Sequence, residues 1–410
     1  MIHRLASLHI RPDQHDAVDR TLPSRFRPSD APSTNPGGVP FMPLPVPIDE
    51  PGELIAAVPA LLGFTPTRSL VLIYLSDDTP CEGTTSVHAI TRTESPLEHD
   101  RPSDREIGQS VARVCARAQS RAVLAVLVDD RLSRPTAACP ISERWRSALD
   151  MLRGALVSNG LELAGAWSVR SIATDADWWD ELAPERHGNL PDPATSFIAV
   201  ELVHAGRPIH QTRADLHVLV DIDVALRDRV SVALPVAAAD AHRRLVRAVR
   251  IGDPDSYTRQ ALWQVMHVIK HTSTFQVPEP RVLAEVSVAL RDKAVRDVMF
   301  GVDDGEYAAH AEFLWSILVR SLPDPDRAEA ATLFAFTAYR RGLGVLAGIA
   351  IDAALSSDPD HRMAQLLDIA LSNVLPPQRL QPLCRAAIET AAELRVDIGA
   401  SEPNSPTQES

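Results

Sequence analysis

Two pairs of aspartates that follow apolar runs are the residues whose spacing first indicates chemistry. The pairs are Asp77 with Asp78, after the run SLVLIYL, and Asp129 with Asp130, followed by Arg131, after the run AVLAVLV. If the two strands are parallel neighbours, their carboxyl ends share one edge of a sheet, where ligands commonly bind. Four carboxylates there would suit Mg²⁺ or Mn²⁺, and the arginine would suit a phosphate or carboxylate group. The alternative is an ordinary exit into solvent, because aspartate is a favoured turn residue.

A second pattern that could bind metal is a pair of histidines. His267 and His271 are four residues apart in a predicted helix, so their imidazoles share one face. The zincin motif requires a glutamate directly after the first histidine, and Val268 stands there. Since no third ligand is close in sequence, the pair is at most half of a zinc site, and a polar helix face is the alternative.

Two adjacent tryptophans indicate a surface or an interface. Trp178 and Trp179 cannot both face one core in an extended segment, because successive side chains point to opposite sides. At least one is therefore predicted to line a surface groove, a domain interface or a ligand wall.

Four arginines form a basic stripe on another predicted helix. They are Arg243, Arg244, Arg247 and Arg250. Such a stripe can meet a phosphate backbone or an acidic partner protein, and a solvated helix face is the alternative.

Most of the enzyme classes that have readable sequence patterns find no match in this chain. It contains no G-x-x-x-x-G-K-[ST] loop, no G-x-G-x-x-G after a strand, no G-x-S-x-G elbow and no H-E-x-x-H. Its two lysines, Lys270 and Lys293, stand outside any phosphate-loop or Schiff-base pattern. The sequence therefore favours a non-enzymatic role.

The elements that must position these residues alternate in the first half of the chain, which predicts an α/β domain. Predicted strands cover Ser69 to Leu75, Thr85 to Thr91, Ala122 to Val128 and Leu163 to Ile172, with Leu216 to Val220 as a candidate edge strand. Predicted helices begin at Pro51, Asp104 and Ile141, and Gly63 ends the first of them. This order predicts a mostly parallel central sheet flanked by helices.

From about Pro235 onwards the sequence predicts helices almost without interruption. One stretch matches the 34-residue tetratricopeptide pattern, with Gly342 at the turn between two helices. Small or terminal positions of that pattern are occupied by Ala335, Ala347, Ala354 and Pro359, whereas its aromatic positions hold Ala331 and Ala338. The alternative is a generic antiparallel helix pair in an alanine-rich sequence.

Composition limits the location and the partners of the protein. The 410 residues carry a formal net charge of -13, which argues against a general nucleic-acid or anionic-membrane surface. No apolar run reaches the length of a membrane span, and no signal-peptide pattern follows Arg4. The four cysteines, Cys81, Cys115, Cys139 and Cys384, show no C-x-x-C spacing, which is typical of free thiols in a reducing compartment. We therefore expect a cytoplasmic protein.

Several stretches of the chain occur together in one known family. They are PGELIAAVPALLGF, SLVLIYL, LVDDR, the Trp178-Trp179 pair, AVELVHAGRPI and AYRRGLGVLAGIAIDAALSSDPDH. With them the chain resembles an uncharacterised family of high-GC Gram-positive bacteria, the domain of unknown function 4192. The resemblance runs from about Ile48 to Pro377 and implies an architecture and a lineage, but no settled activity. Family members often carry a cysteine-bearing segment after the tryptophans. The corresponding segment here, DELAPERHGNLPDP, has no cysteine, so no metal or redox role is carried over.

These observations together predict four regions. Residues 1–45 are predicted to be a disordered Pro/Asp/Arg-rich tail, 46–222 an α/β domain, 223–396 a helical domain with tetratricopeptide-like hairpins, and 397–410 a disordered tail. We expect a non-enzymatic protein-binding or regulatory module whose helical domain presents a concave surface to a protein partner. The alternative is a small-molecule sensor or metal-dependent enzyme that uses the acidic strand exits with Mg²⁺ or Mn²⁺. No nucleic-acid or membrane partner is expected.

Overall fold

The computed structural model describes most of the chain, with gaps. The described residues are 2–3, 9–10, 47–48, 50–76, 86–97, 122–134, 140–158, 160–196, 199–200, 209–273, 276–373 and 375–400. The predicted helix at Asp104 to Gln119 lies outside them.

Nine strands occur in the described residues. They are β1 (Ile2–His3), β2 (His9–Ile10), β3 (Pro47–Ile48), β4 (Ser69–Ser76), β5 (Ser86–Glu94), β6 (Ala122–Val128), β7 (Glu162–Val169), β8 (Asp177–Asp180) and β9 (His187–Asn189).

Two helices accompany the sheet, and the others follow it. They are α1 (Pro51–Leu62), α2 (Pro140–Val157), α3 (Arg213–His217), α4 (Val224–Arg250), α5 (Asp255–His271), α6 (Pro280–Leu290), α7 (Lys293–Met299), α8 (Ala308–Ser321), α9 (Asp326–Arg340), α10 (Gly344–Ser357), α11 (Arg362–Ser372) and α12 (Gln381–Glu393). The predicted order, a sheet with helices followed by a helical region, is confirmed.

The central sheet is mixed, so the predicted mostly parallel sheet is wrong. Its seven strands lie in the order β1-β5-β4-β6-β7-β8-β9, and the strand pair β6 and β7 is parallel. Strand β4 is antiparallel to both of its neighbours, with Ser69 opposite Glu94 on β5 and opposite Val128 on β6. Strands β2 and β3 form a separate parallel pair. A strand that is apolar on both sides shows only that both faces are covered, and this does not fix its direction.

Both faces of the central strands are buried, in two separate apolar clusters. Along β4, Val71 and Ile73 point into a cluster that includes α1, whereas Leu70 and Leu72 point into a cluster that includes α2. Alternation along the strand places successive side chains on opposite faces. The predicted strand at Ser69 to Leu75 is therefore confirmed, and both of its faces are covered.

The first of these clusters continues into the helical region. Apolar side chains of α1, of the sheet and of helices α4 to α12 belong to one set, which reaches as far as Ile398. Helix α10 is almost wholly buried in it. The boundary near residue 222 stays a prediction.

Two elements of the second half differ from the sequence prediction. The candidate edge strand at Leu216 to Val220 is instead the end of the short helix α3 and the turn after it, and Thr212 and Asp215 form a capping box at the start of this helix. Helix α4 begins at Val224, well before Pro235, which lies inside it.

The helix pair α9 and α10 forms a hairpin. Gly342 has a φ of +74°, the left-handed conformation that glycine adopts without strain. Ala335, Ala347 and Ala354 are fully buried, which allows the backbones to approach closely. Its tetratricopeptide character stays a prediction.

Parts of the predicted tails are described. Strand β1 pairs antiparallel with β5, and Ile398 is buried beside the bridge between Gly305 and Ala400. Within the described parts of the chain, every helix is too short or too polar to cross a bilayer.

Candidate functional site

The predicted meeting of two aspartate pairs rested on parallel strands, and that premise is wrong. Because β4 and β6 are antiparallel, the end of β4 that leads to Asp77 and Asp78 lies opposite the start of β6. The two strand ends are about 20 Å apart for strands of this length. Asp77 and Asp78 themselves lie outside the described residues.

Asp129 is held by an arginine rather than facing a cavity. It is fully buried, and its Oδ1 accepts hydrogen bonds from Arg131 Nε at 2.8 Å and Arg131 N at 3.1 Å, while its Oδ2 accepts from Arg131 Nη2 at 2.7 Å. Burial alone would raise the pKa of Asp129, but hydrogen bonds from Arg131 and Ser95 outweigh it and hold the pKa below its usual value. The carboxylate is therefore ionised and fully engaged.

Asp130 is engaged by two further arginines. Arg68 Nε lies 2.9 Å from its Oδ1, and this hydrogen bond lowers the pKa of the exposed Asp130 carboxyl. Arg170 Nη2 donates to the Asp130 carbonyl oxygen at 3.0 Å. A metal ion bound here would have to displace guanidinium groups from both carboxylates.

The two tryptophans lie on opposite faces of the sheet, and both are buried. Trp178 is 8% exposed and packs in the cluster that continues into the helical region, whereas Trp179 is 3% exposed and packs in the other. A Cβ atom built on Gly52 would lie 3.0 Å from Trp178 Nε1, so α1 approaches this ring closely. Trp179 Nε1 donates to Glu181 Oε1 at 2.9 Å, and Ser168 Oγ donates to the same oxygen at 2.6 Å. Both rings are therefore packed among apolar side chains, and their role at an interface or ligand wall stays a prediction.

The two histidines belong to a row of rings on the outer face of α5. The Trp263 ring stacks on that of His267 with centroids 5.8 Å apart, and the His267 and His271 centroids are 4.3 Å apart. His271 Nδ1 lies 2.7 Å from the His267 carbonyl oxygen. No cluster of three or more His, Cys, Asp or Glu side chains suited to a metal ion occurs in the described residues.

A cavity of about 70 Å³ lies where the α/β part meets the helical part, and we call it the junction cavity. Its polar lining residues are His210, Glu312 and Arg341. Its apolar lining residues are Leu62, Leu216, Leu219, Leu343 and Leu346, beside Gly63.

Backbone hydrogen bonds fix the α/β side of the junction cavity. Gly63 ends α1 with a φ of +81°, and its carbonyl oxygen accepts from His210 N at 2.9 Å. Thr65 N in turn donates to the His210 carbonyl oxygen at 3.1 Å. The end of α1 and the segment before α3 are therefore joined at this wall.

An ion pair forms the opposite wall. Arg341, at the end of α9, contacts Glu312 of α8, and both side chains are largely buried. Burial lowers the pKa of Arg341, whereas the nearby Asp303 raises it. A guanidinium group remains charged under such conditions, so the wall carries one positive and one negative group.

A second polar network lies behind this wall. Asp303 is partly buried and accepts a hydrogen bond from Thr337 Oγ1 at 2.8 Å through Oδ1, while its Oδ2 is buried without a hydrogen-bond partner. Asp304 pairs with Arg340 and accepts from Gln381 Nε2 at 2.9 Å. Burial raises the pKa of Asp303 to about 7, although Thr337 and Arg340 lower it.

Cys384 is buried next to this network. Burial raises the pKa of the Cys384 thiol to about 12, so it is an unreactive core residue.

The model of one protein family matches residues 51–378, and its description is Domain of unknown function (DUF4192). The chain belongs to this family. No curated protein matches the chain, and no solved structure does. The match covers the junction cavity, the strand edge at Asp129 and the tryptophan pair of this DUF4192 protein.

Sequence reasoning missed the junction cavity because its walls come from distant segments. The family resemblance nevertheless pointed to the cavity. Three of the stretches that resemble the family contain cavity-lining residues or end one residue before such a residue. PGELIAAVPALLGF contains Leu62 and Gly63, AVELVHAGRPI immediately precedes His210, and AYRRGLG contains Arg341 and Leu343.

Proposed function

We propose that this DUF4192 protein is a non-enzymatic module that binds an acidic partner protein on the outer face of helix α4. The observation that supports this most is a stripe of exposed apolar and basic side chains along that helix. We define the α4 stripe as Val232, Val236, Ala239, Arg243, Val246, Arg247 and Arg250, all of which are exposed.

The spacing of the α4 stripe places its members on one side of the helix. Successive members are mostly three or four residues apart, which is the spacing of a single helical face. From Val232 to Arg250 the stripe is about 27 Å long at about 1.5 Å per residue. Val232 is 79% exposed, although a valine gains free energy when it is buried. A bound partner helix would cover it.

The charge of the α4 stripe indicates what kind of partner fits. Its second half carries three arginines, in a chain whose net charge is -13. Arg243 pairs with Asp240 of the same helix. Asp240 lies seven and ten residues before Arg247 and Arg250, and Asp253, just after the helix, pairs with Arg259. A partner helix with acidic residues at one end and apolar residues at the other would complement both halves.

The outer face is a better candidate than the predicted concave surface. Helix α10, which faces the α/β part, is almost wholly buried in the shared core. A partner could reach it only by separating packed apolar side chains. We therefore place the docking surface on α4, on the outside of the helical region.

The test uses the full chain as bait, with two stripe variants and matched controls. One variant is Val232→Asp with Val236→Asp, and the other is Arg247→Glu with Arg250→Glu. The controls are Val157→Asp and Arg153→Glu, which place the same changes on exposed positions of α2. Captured proteins are identified by mass spectrometry, and each is then purified and titrated against the bait.

We expect a direct partner whose affinity falls at least tenfold with either stripe variant and falls with added salt. Added salt weakens it because exposed charges are screened. The control variants should leave the affinity unchanged. The proposal is wrong if every direct partner binds both stripe variants as tightly as the unmodified chain, or if the binding segment of the partner is basic.

A further inference from the structure

The junction cavity has the charge balance of a site for a zwitterion. Arg341 and Glu312 stand side by side on one wall, and the rest of the lining consists of leucines, Gly63 and His210. A bound anion alone would leave Glu312 facing it, and a bound cation alone would face Arg341. Either arrangement buries an uncompensated charge, which is costly. A molecule with both charges would instead match both groups.

The size of the junction cavity restricts the molecule further. Its volume of about 70 Å³ exceeds the roughly 15 Å³ that one water needs. It is far below the roughly 300–1,000 Å³ of pockets for drug-sized ligands and cofactors. This size favours a single small metabolite over a nucleotide.

The apolar part of the lining gives the third property of the ligand. Leu62, Leu216 and Leu346 are buried at the back, whereas His210 and Leu219 are partly exposed at the mouth. An aliphatic group that enters past the mouth would bury its surface against the leucines, at about 25 cal/mol per Å².

We infer that the junction cavity binds a free α-amino acid with a small aliphatic side chain, such as valine or leucine. Its carboxylate accepts hydrogen bonds from Arg341, its ammonium group donates to Glu312, and its side chain packs against the leucines. The two new ion pairs replace the direct contact between Arg341 and Glu312.

The test measures binding to the full chain by isothermal titration calorimetry with four probes. L-Leucine and L-valine carry both charges. 4-Methylpentanoate lacks the ammonium group of leucine, and 3-methylbutylamine lacks the carboxylate. We expect leucine or valine to bind, and each of the two single-charge analogues to bind at least tenfold more weakly than leucine.

A variant and a matched control assign the binding to this wall. Glu312→Gln keeps the shape of the side chain but removes its charge, so leucine should bind at least tenfold more weakly. The same change should strengthen the binding of 4-methylpentanoate, because a repulsion is removed. Glu389→Gln, at an exposed position of α12, should change neither affinity.

Three results would overturn the inference. They are no binding of leucine or valine at 10 mM to the unmodified chain, equal affinity for leucine and its single-charge analogues, and unchanged leucine affinity in a folded Glu312→Gln chain. The first two use the unmodified protein, so a folding defect of the variant cannot obscure them. The inference is independent of the α4 stripe, whose variants should bind the amino acid normally.

Discussion

The buried carboxyl group of Asp303 is expected to make the protein less stable as the pH rises towards neutrality. Burial raises its pKa from 3.8 to about 7, so the folded chain holds a proton that the unfolded chain has already lost. Stability falls with pH wherever the folded state binds more protons. The contribution is complete below about pH 4 and is lost as the pH rises through about 7.

The size of the effect follows from the difference between the two pKa values. About three pH units at about 1.36 kcal/mol per unit give about 4 kcal/mol for the whole range. Between pH 5 and pH 8 about two of those units are crossed, which corresponds to about 3 kcal/mol. Other groups titrate over the same range, so the effect is measured as a difference from a variant.

The variant is Asp303→Asn, which keeps an oxygen for Thr337 but cannot ionise. Urea unfolding is followed by tryptophan fluorescence at pH 5 and pH 8. We expect the free energy of unfolding of the variant, relative to the unmodified chain, to rise by about 3 kcal/mol between these values. Asp228→Asn, at an exposed position of α4, is the control and should show no such change.

The reasoning is refuted if the difference between Asp303→Asn and the unmodified chain is the same at both pH values. That result would mean that Arg340 and Arg341 hold Asp303 ionised in the folded protein, with a pKa near that of the unfolded chain.

Three further substitutions test the packing and capping. Asp129→Asn removes the charge that pairs with Arg131, and because Asp129 is fully buried the free energy of unfolding in urea should fall by about 2–3 kcal/mol. Asp130→Asn, at the exposed pair with Arg68, should lower the urea midpoint far less. Ala347→Leu overfills the α9–α10 hairpin and should lower the free energy of unfolding, measured by thermal unfolding, by about 1–3 kcal/mol. Ala239→Leu, at an exposed position, is the control and should leave it unchanged. Asp292→Ala removes the cap of α7, where the carboxylate accepts from two backbone N–H groups, and should cost about 1 kcal/mol in urea unfolding.

Local patterns were enough to place many elements of this fold. Helix α1 begins at Pro51 and ends before Gly63 because both residues have the backbone conformations that these positions need. Strand β6 was visible as a continuous apolar run, since both of its faces are covered. These features depend on neighbours in the sequence, which the sequence displays directly.

Strand direction could not be read in the same way. The alternation of predicted strands and helices suggested parallel strands, yet β4 and β5 lie beside each other as an antiparallel pair. The apolar pattern of β4 is the same in either direction. The prediction that the two aspartate pairs meet at one edge of the sheet depended on the same assumption, because it required the ends of β4 and β6 to lie side by side.

Proline gave a misleading boundary in the helical region. The sequence predicts a helix from about Pro235, although proline lacks the N–H group that a helix interior uses. In the structure α4 continues through it, capped at its start by Asp223, whose side chain accepts from Leu226 N. Burial of Val230, Leu234 and Ala237 against other helices outweighs the one missing hydrogen bond.

Helix α8 gives the two proposed sites a physical connection. Glu312 of α8 lines the junction cavity, and α8 packs against α4, which carries the α4 stripe, and against α9, which carries the turn to Arg341. A ligand that pulls Glu312 away from Arg341 would act on a helix that supports the docking surface. If the two binding events are coupled, the coupling is reciprocal: the amino acid changes the affinity for the partner by the same factor as the partner changes the affinity for the amino acid. Titrating the partner with and without leucine, and leucine with and without the partner, would give that factor twice. Unequal factors would show that one of the two ligands binds elsewhere as well.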